Sequence, residues 1–140
     1  MPNLEPTEHE LRREIADLSF RIFRYSELQG AQEGLAADMR RVAGNLEFHV
    51  GPLRGVFAPV RSLHTPATWT GNAATQSRTR LDDHETRCNH AISSIDNMIE
   101  DLHEQAQAAS TAAAGYRSDV TSLRQDLFRV ENELEDVYAQ

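Results

Sequence analysis

The chain has 140 residues, with 14 basic groups against 22 acidic ones, a net charge of -8, and 6% aromatic residues. That charge repels duplex nucleic acid and anionic membrane surfaces, so no nucleic-acid partner is expected. The length suits a single domain of residues 1–140, and the abundance of Ala, Glu, Arg, Leu and Gln, with all five prolines in the first 66 residues, favours an all-α fold.

The basic groups are uneven along the chain. Residues 51–80 carry four Arg and no acid, a mildly basic stretch suited to an acidic protein partner. All 14 bases are arginine, a bias of GC-rich genomes that makes an actinobacterial source the expectation. Cys88 is alone, which excludes an intrachain disulfide. No stretch has the apolar length of a membrane span, and the start Met-Pro-Asn-Leu-Glu-Pro has no signal-peptide core. The protein is therefore expected to stay in the cytoplasm or to leave by a route that reads no ordinary signal peptide.

The first helix is expected to begin at Thr7. Thr7 with Glu10 forms a capping box, in which the Thr hydroxyl accepts from the Glu10 amide and the Glu carboxylate accepts from the Thr7 amide. Leu11, Ile15, Leu18, Ile22, Tyr25, Leu28, Leu35, Met39, Val42, Leu46 and Val50 follow at helical spacing. Gly51-Pro52 interrupts the helix, because proline lacks an amide donor and disfavours helical geometry in the residue before it. A shorter, irregular helix over about 53–63 completes a first helical arm of about 7–63, and a turn follows at about 64–71.

The second helix, about 72–138, carries the strongest signal. Cys88, Ile92, Ile95, Ile99, Leu102, Ala106, Ala109, Ala113, Tyr116, Val120, Leu123, Leu127, Val130, Leu134 and Val137 alternate steps of four and three, a heptad seam without a slip. Leu81 extends the seam towards the turn, Glu85 is its charged intruder, and Gly115 weakens the helix interior. Neither helix buries its stripe alone, so the two are expected to form an antiparallel hairpin. A turn centred near residue 67 would set Phe20, Phe23 and Tyr25 against the small residues between Ala106 and Ala114, and leave Val130 to Tyr138 projecting.

The turn also holds the chain's only tryptophan, in Pro66-Ala-Thr-Trp-Thr-Gly-Asn-Ala-Ala-Thr75. Trp69-Thr70-Gly71 in the turn, Ala73-Ala74 after it, and the apolar spacing from Leu81 to Leu102 resemble the WXG family of small type VII secretion proteins, the early secreted antigenic target-like helical hairpins. The resemblance covers about residues 10–116 as an architecture. It implies a dimer forming a four-helix bundle, export through type VII secretion, and recognition at the turn by Trp69 and Gly71. Physical chemistry supports the motif independently, since Trp can plug the end of a hairpin and Gly allows a tight entry into a helix. Thr70 or Asn72 is available as its cap.

Two departures stand beside the resemblance. The chain is longer than the family's usual members, and the Tyr-x-x-x-Asp/Glu export signal is not met. Tyr116 is followed at the fourth place by Val120, with Asp119 one place early.

Other groupings carry little chemistry. His84, Cys88 and His90 beside Asp82, Asp83 and Glu85 lack a third ligand on one face, so no metal or cofactor is expected. No catalytic triad or phosphate loop is present, and the chain is read as non-enzymatic. The acids from Glu131 to Asp136 read as a solvated face, or as a charged tail for a basic patch of Arg54, Arg61, Arg78 and Arg80 on another copy or a partner.

The expected partner is a second copy or a related small helical hairpin. Leu18, Ile22, Leu35, Met39, Leu46, Ile92, Ile95, Ile99 and Leu102 are expected to divide between the hairpin core and that interface. The alternative is a cytoplasmic coiled-coil adaptor or scaffold.

Overall fold

The computed structural model describes residues 6–63 and 70–140. They form α1 (Glu8–Val50), a 3-10 helix η1 (Gly51–Gly55), a short α2 (Ala58–Leu63) and α3 (Asn72–Ala139), an all-helical chain among the described residues. The capping box forms as its residues dictate. The Thr7 amide donates to Glu10 Oε2 at 3.0 Å, and the Glu10 amide donates to Thr7 Oγ1 at 3.2 Å. The helix that starts there ends at Val50, immediately before Gly51-Pro52. Trp69 and most of the expected turn lie outside the described residues.

Packing divides the chain into two compact units, Met1–Ala37 with Gln107–Gln140, and Asp38–Ala106. In the first unit Leu11, Leu18, Leu123 and Val130 form the buried cluster, with Ile15, Ile22, Tyr25, Leu127, Leu134 and Val137 packed against it. α1 and α3 run antiparallel in this unit, since Arg12 meets Tyr138 while Glu33 meets Arg117. In the second unit the buried cluster is Ala43, Val50, Ile92 and Ile99, and Leu46, Cys88, Ile95 and Leu102 pack against it.

The seam of α3 lies inward as its spacing predicts, every position from Cys88 to Val137 being buried or half-buried. The seam of α1 departs from the reading by size. Beyond Tyr25 the four-three step runs through Gln29, Gln32, Ala36, Met39, Ala43, Leu46 and Val50, all buried or half-buried, with Ser26 and Leu28 half-buried beside it. Leu35 and Val42, one place before Ala36 and Ala43, are 45% and 43% exposed. The four-three step governs, because only residues at that step face the partner helix, whatever their bulk.

Two further expectations are corrected. Tyr25 stacks on Tyr116, with ring centroids 5.9 Å apart, rather than on the alanine run, and Phe20 and Phe23 are 65% and 61% exposed. Nor does the end of α3 project. Leu134 and Val137 pack on the first cluster, and Tyr138 is engaged by Arg12 while its hydroxyl donates to Glu8 Oε1 at 2.9 Å. A register built from the turn's midpoint slipped because the seam-to-seam match of the helices, not the loop, fixes which residues meet.

Ile99→Ala removes buried volume and is expected to cost about 2–5 kcal/mol. Met98→Ala, one place away at a site 53% exposed, is expected to stay within about 0.5 kcal/mol of the parent. Urea unfolding followed by circular dichroism checks the contrast; equal losses would overturn this placement of the seam.

Candidate functional site

Of the two motif residues read from the sequence, Gly71 falls within the described residues. Its φ is 103°, a conformation that side-chain-bearing residues rarely adopt. Its carbonyl accepts the first bond of α3 from the Thr75 amide at 3.0 Å and also takes the Thr75 hydroxyl at 3.1 Å. The glycine thus turns the chain into α3 through its backbone. A Cβ placed there would meet no atom within 4 Å, so conformation, not space, demands glycine.

Beside this entry, the short segments η1 and α2 are tied to α3 by charge. Arg54 donates two parallel bonds to Asp96, of 2.8 and 2.5 Å. Arg61 donates to Asp82 Oδ1 at 2.6 Å and also grips Glu85. Glu85, the charged intruder in the seam, is half-buried and has its neutralising partner in Arg61. Two arginines of the mildly basic stretch are therefore committed to acids of α3, which leaves less of that patch for an outside carboxylate. Asp82 and Glu85 are drawn onto the guanidinium, and among the described residues no three His, Cys, Asp or Glu side chains gather where they could hold a metal ion.

The candidate interface residues take distinct places. Leu18, Ile92 and Ile99 are buried within the two clusters, and Ile22, Leu46, Ile95 and Leu102 pack against them. Met39 is half-buried and Leu35 is exposed. Each unit also has two unlike flanks. In the first, residues one place after the seam are Arg12 and Tyr138, and Glu33 and Arg117, joined by polar contacts; the Glu33–Arg117 bond is 2.7 Å. Residues one place before the seam are Leu28, Leu35 and Ala112, giving way to Arg21 and Asp119. In the second unit Arg54 and Asp96 close one flank, while Val42, Met98 and Ala91 line the other. This apolar flank was missed by following bulk along α1, although a seven-residue step from Leu28 through Leu35 to Val42 carries the signal.

The acids Glu131, Glu133, Glu135 and Asp136 are exposed, and Glu133 and Asp136 stand at an open groove of about 450 Å³ floored by Leu11 and Val137. Among the described residues no helix is long and apolar enough to cross a membrane. No family model matches the chain, and neither a curated protein nor a solved structure matches it.

Alanine substitution at two glycines is expected to act in opposite directions. Gly71→Ala forces a Cβ into left-handed backbone and costs about 1–2 kcal/mol. Gly115→Ala, in mid-helix with open space around it, gains up to about 1 kcal/mol. Thermal unfolding of both variants checks the signs.

Hydrogen bonds from Arg54 hold the Asp96 carboxyl below its ordinary range, with desolvation opposing and attraction to Arg54 adding. A lowered folded value means that this contribution is present above the unfolded carboxyl's pKa of about 4, and is lost as pH falls through the folded value beneath it. A carbon-detected NMR titration of Asp96 is expected to show a depressed midpoint that Arg54→Gln moves upward. An unmoved midpoint would remove Arg54 as the cause.

Proposed function

We propose that the chain is a non-enzymatic WXG-like protein, a type VII secretion substrate or the dimer partner of one. The observation that carries this reading is Gly71, a glycine with left-handed backbone at the entry to α3, two places after Trp69 in a chain of antiparallel helix pairs. The dimer follows from the apolar flank. In the second unit Val42 and Met98 stand in water beside the seam, and exposed apolar stripes rimmed by charge are usual surfaces for association. A second copy or a related hairpin would cover them and complete a four-helix bundle.

A cytoplasmic coiled-coil adaptor is the second reading, and the surroundings of Tyr116 favour it. This tyrosine, nearest in the sequence to an export signal, stacks on Tyr25 within the first unit, and its fourth follower, Val120, is buried. A signal read by a secretion machine belongs on an accessible segment. Under the first reading a dimer partner therefore supplies it.

The deciding experiment is secretion in the native host, with culture filtrate and cytosol blotted while the type VII ATPase is intact or inactivated. Filtrate protein only with the intact ATPase supports the first reading; confinement to the cytosol in both strains, with a lysis control, supports the adaptor. Separately, Val42→Glu combined with Met98→Glu is expected to convert a dimer into a monomer in sedimentation while helicity is kept. An unchanged sedimenting mass would overturn the flank as the interface.

A further inference from the structure

The groove of about 450 Å³ in the first unit is bounded by Pro6, Leu11, Glu133, Asp136, Val137 and Gln140. Its apolar side follows from the start of α1. Thr7 is the cap, so Pro6 stands just before it and Leu11 is the fourth helical residue, the two positions that a hydrophobic staple brings together. Val137 comes from the seam of α3 and packs on the same cluster as Leu11. An apolar wall is thus open to solvent at this end, with room for one large side chain.

The acids around it differ from those elsewhere in the unit. Glu8 is held by Arg12 and by the Tyr138 hydroxyl, and Glu33 is held by Arg117. Glu133 and Asp136 at the groove have no ion-pair partner among the described residues, and neither do Glu14 and Asp17, which follow one place before the seam on α1. Arg129, the base nearest in sequence to Glu133, is turned to Asp126 at 3.7 Å. Four exposed carboxylates therefore share one flank and repel one another, a field that favours a cation over any other arrival.

We propose that this groove docks a basic segment of a partner protein. One large apolar side chain enters against Leu11 and Val137, and arginines or lysines beside it meet Glu133 and Asp136, with Glu14 and Asp17 adding to the attraction. Charge complementarity names the occupant, because an acidic or neutral segment would leave the carboxylates unrelieved. The basic stretch of a second copy is poorly placed to supply it. Its Arg54 holds Asp96, its Arg61 holds Asp82 and Glu85, and its Arg78 is engaged as well. This site is separate from the apolar flank of the second unit and stands whether or not the chain is secreted.

The probe is a fluorescently labelled, amidated peptide, Gly-Arg-Arg-Leu-Arg-Arg-Gly, titrated into the full-length protein and followed by anisotropy. Saturable binding is expected, weakening as salt screens the charges and weakening severalfold when the peptide's leucine is replaced by alanine. Glu133→Gln combined with Asp136→Gln is expected to weaken it severalfold. Glu100→Gln combined with Glu104→Gln removes the same charge from exposed positions of the second unit and is expected to leave binding nearly unchanged. In methyl NMR, Leu11 and Val137 are expected to shift on titration while Ile92 and Ile99 stay in place. No saturable binding, equal weakening by the two acid pairs, or indifference to the leucine would each overturn the groove as a site. Binding that requires removal of residues 1–5, or a Val137 shift that follows the protein's own concentration, would assign the groove to the chain itself and overturn the partner.

Discussion

A stripe of small and apolar side chains running along the 68 residues of α3 has to leave water, and most of the architecture follows from what is available to cover it. α1 supplies 43 residues with the same four-three repeat, and the two seams meet in antiparallel pairs within each unit. Alanine dominates where large side chains would hold the helices apart, as Ala43 does beside Ile92 and Ile99 and Ala36, Ala109 and Ala113 do in the first unit. Tyr25 and Tyr116 fill their level by stacking, a pairing that adds ring contact to simple burial.

Because α1 is shorter than α3, the cover changes character where it ends. Gly51-Pro52 stops the helix, and the seam position of α3 nearer the turn, Glu85, is met by a segment that cannot form a long regular helix. The chemistry changes with it. A carboxylate at a seam position would be costly against an apolar helix, yet beside Arg61 it becomes an attachment point. Glu85 is thus no flaw in a repeat; it marks the place where packing by apolar side chains gives way to attachment by charge. The same reasoning explains why Arg54 and Arg61 occur in a stretch without acids of its own. Their partners are on α3.

The repeat in α3 was legible in the sequence because it never slips and its members are mostly large or alanine. In α1 it was legible at Met39, Leu46 and Val50, and without a break only as far as Tyr25. Beyond that point the buried stripe passes through Gln29, Gln32, Ala36 and Ala43, residues that a reading by hydrophobicity passes over, while Leu28, Leu35 and Val42 form a parallel stripe one place earlier. Following the large residues exchanges the flank for the core. Local signals fared better where a single mechanism decides the outcome. The Thr7–Glu10 capping box and the stop at Gly51-Pro52 are settled within four residues. Register was not legible, since it depends on how two long seams match across the hairpin.

Two stripes on one helix also separate stability from association. The seam residues of α1 are matched by α3 and contribute to folding, whereas Leu35 and Val42 meet no buried cluster and contribute little until something covers them. The other flank of each unit is occupied by polar pairs, Arg12 with Tyr138 and Glu33 with Arg117 in the first and Arg54 with Asp96 in the second, contacts that satisfy their own charges and leave little for an apolar partner to gain. A helix approaching the polar flank would have to desolvate these pairs; one approaching the apolar flank would displace water from leucine, valine and methionine. Within each unit, the cost of burying charge therefore makes the apolar flank the cheaper of the two for another apolar surface to cover.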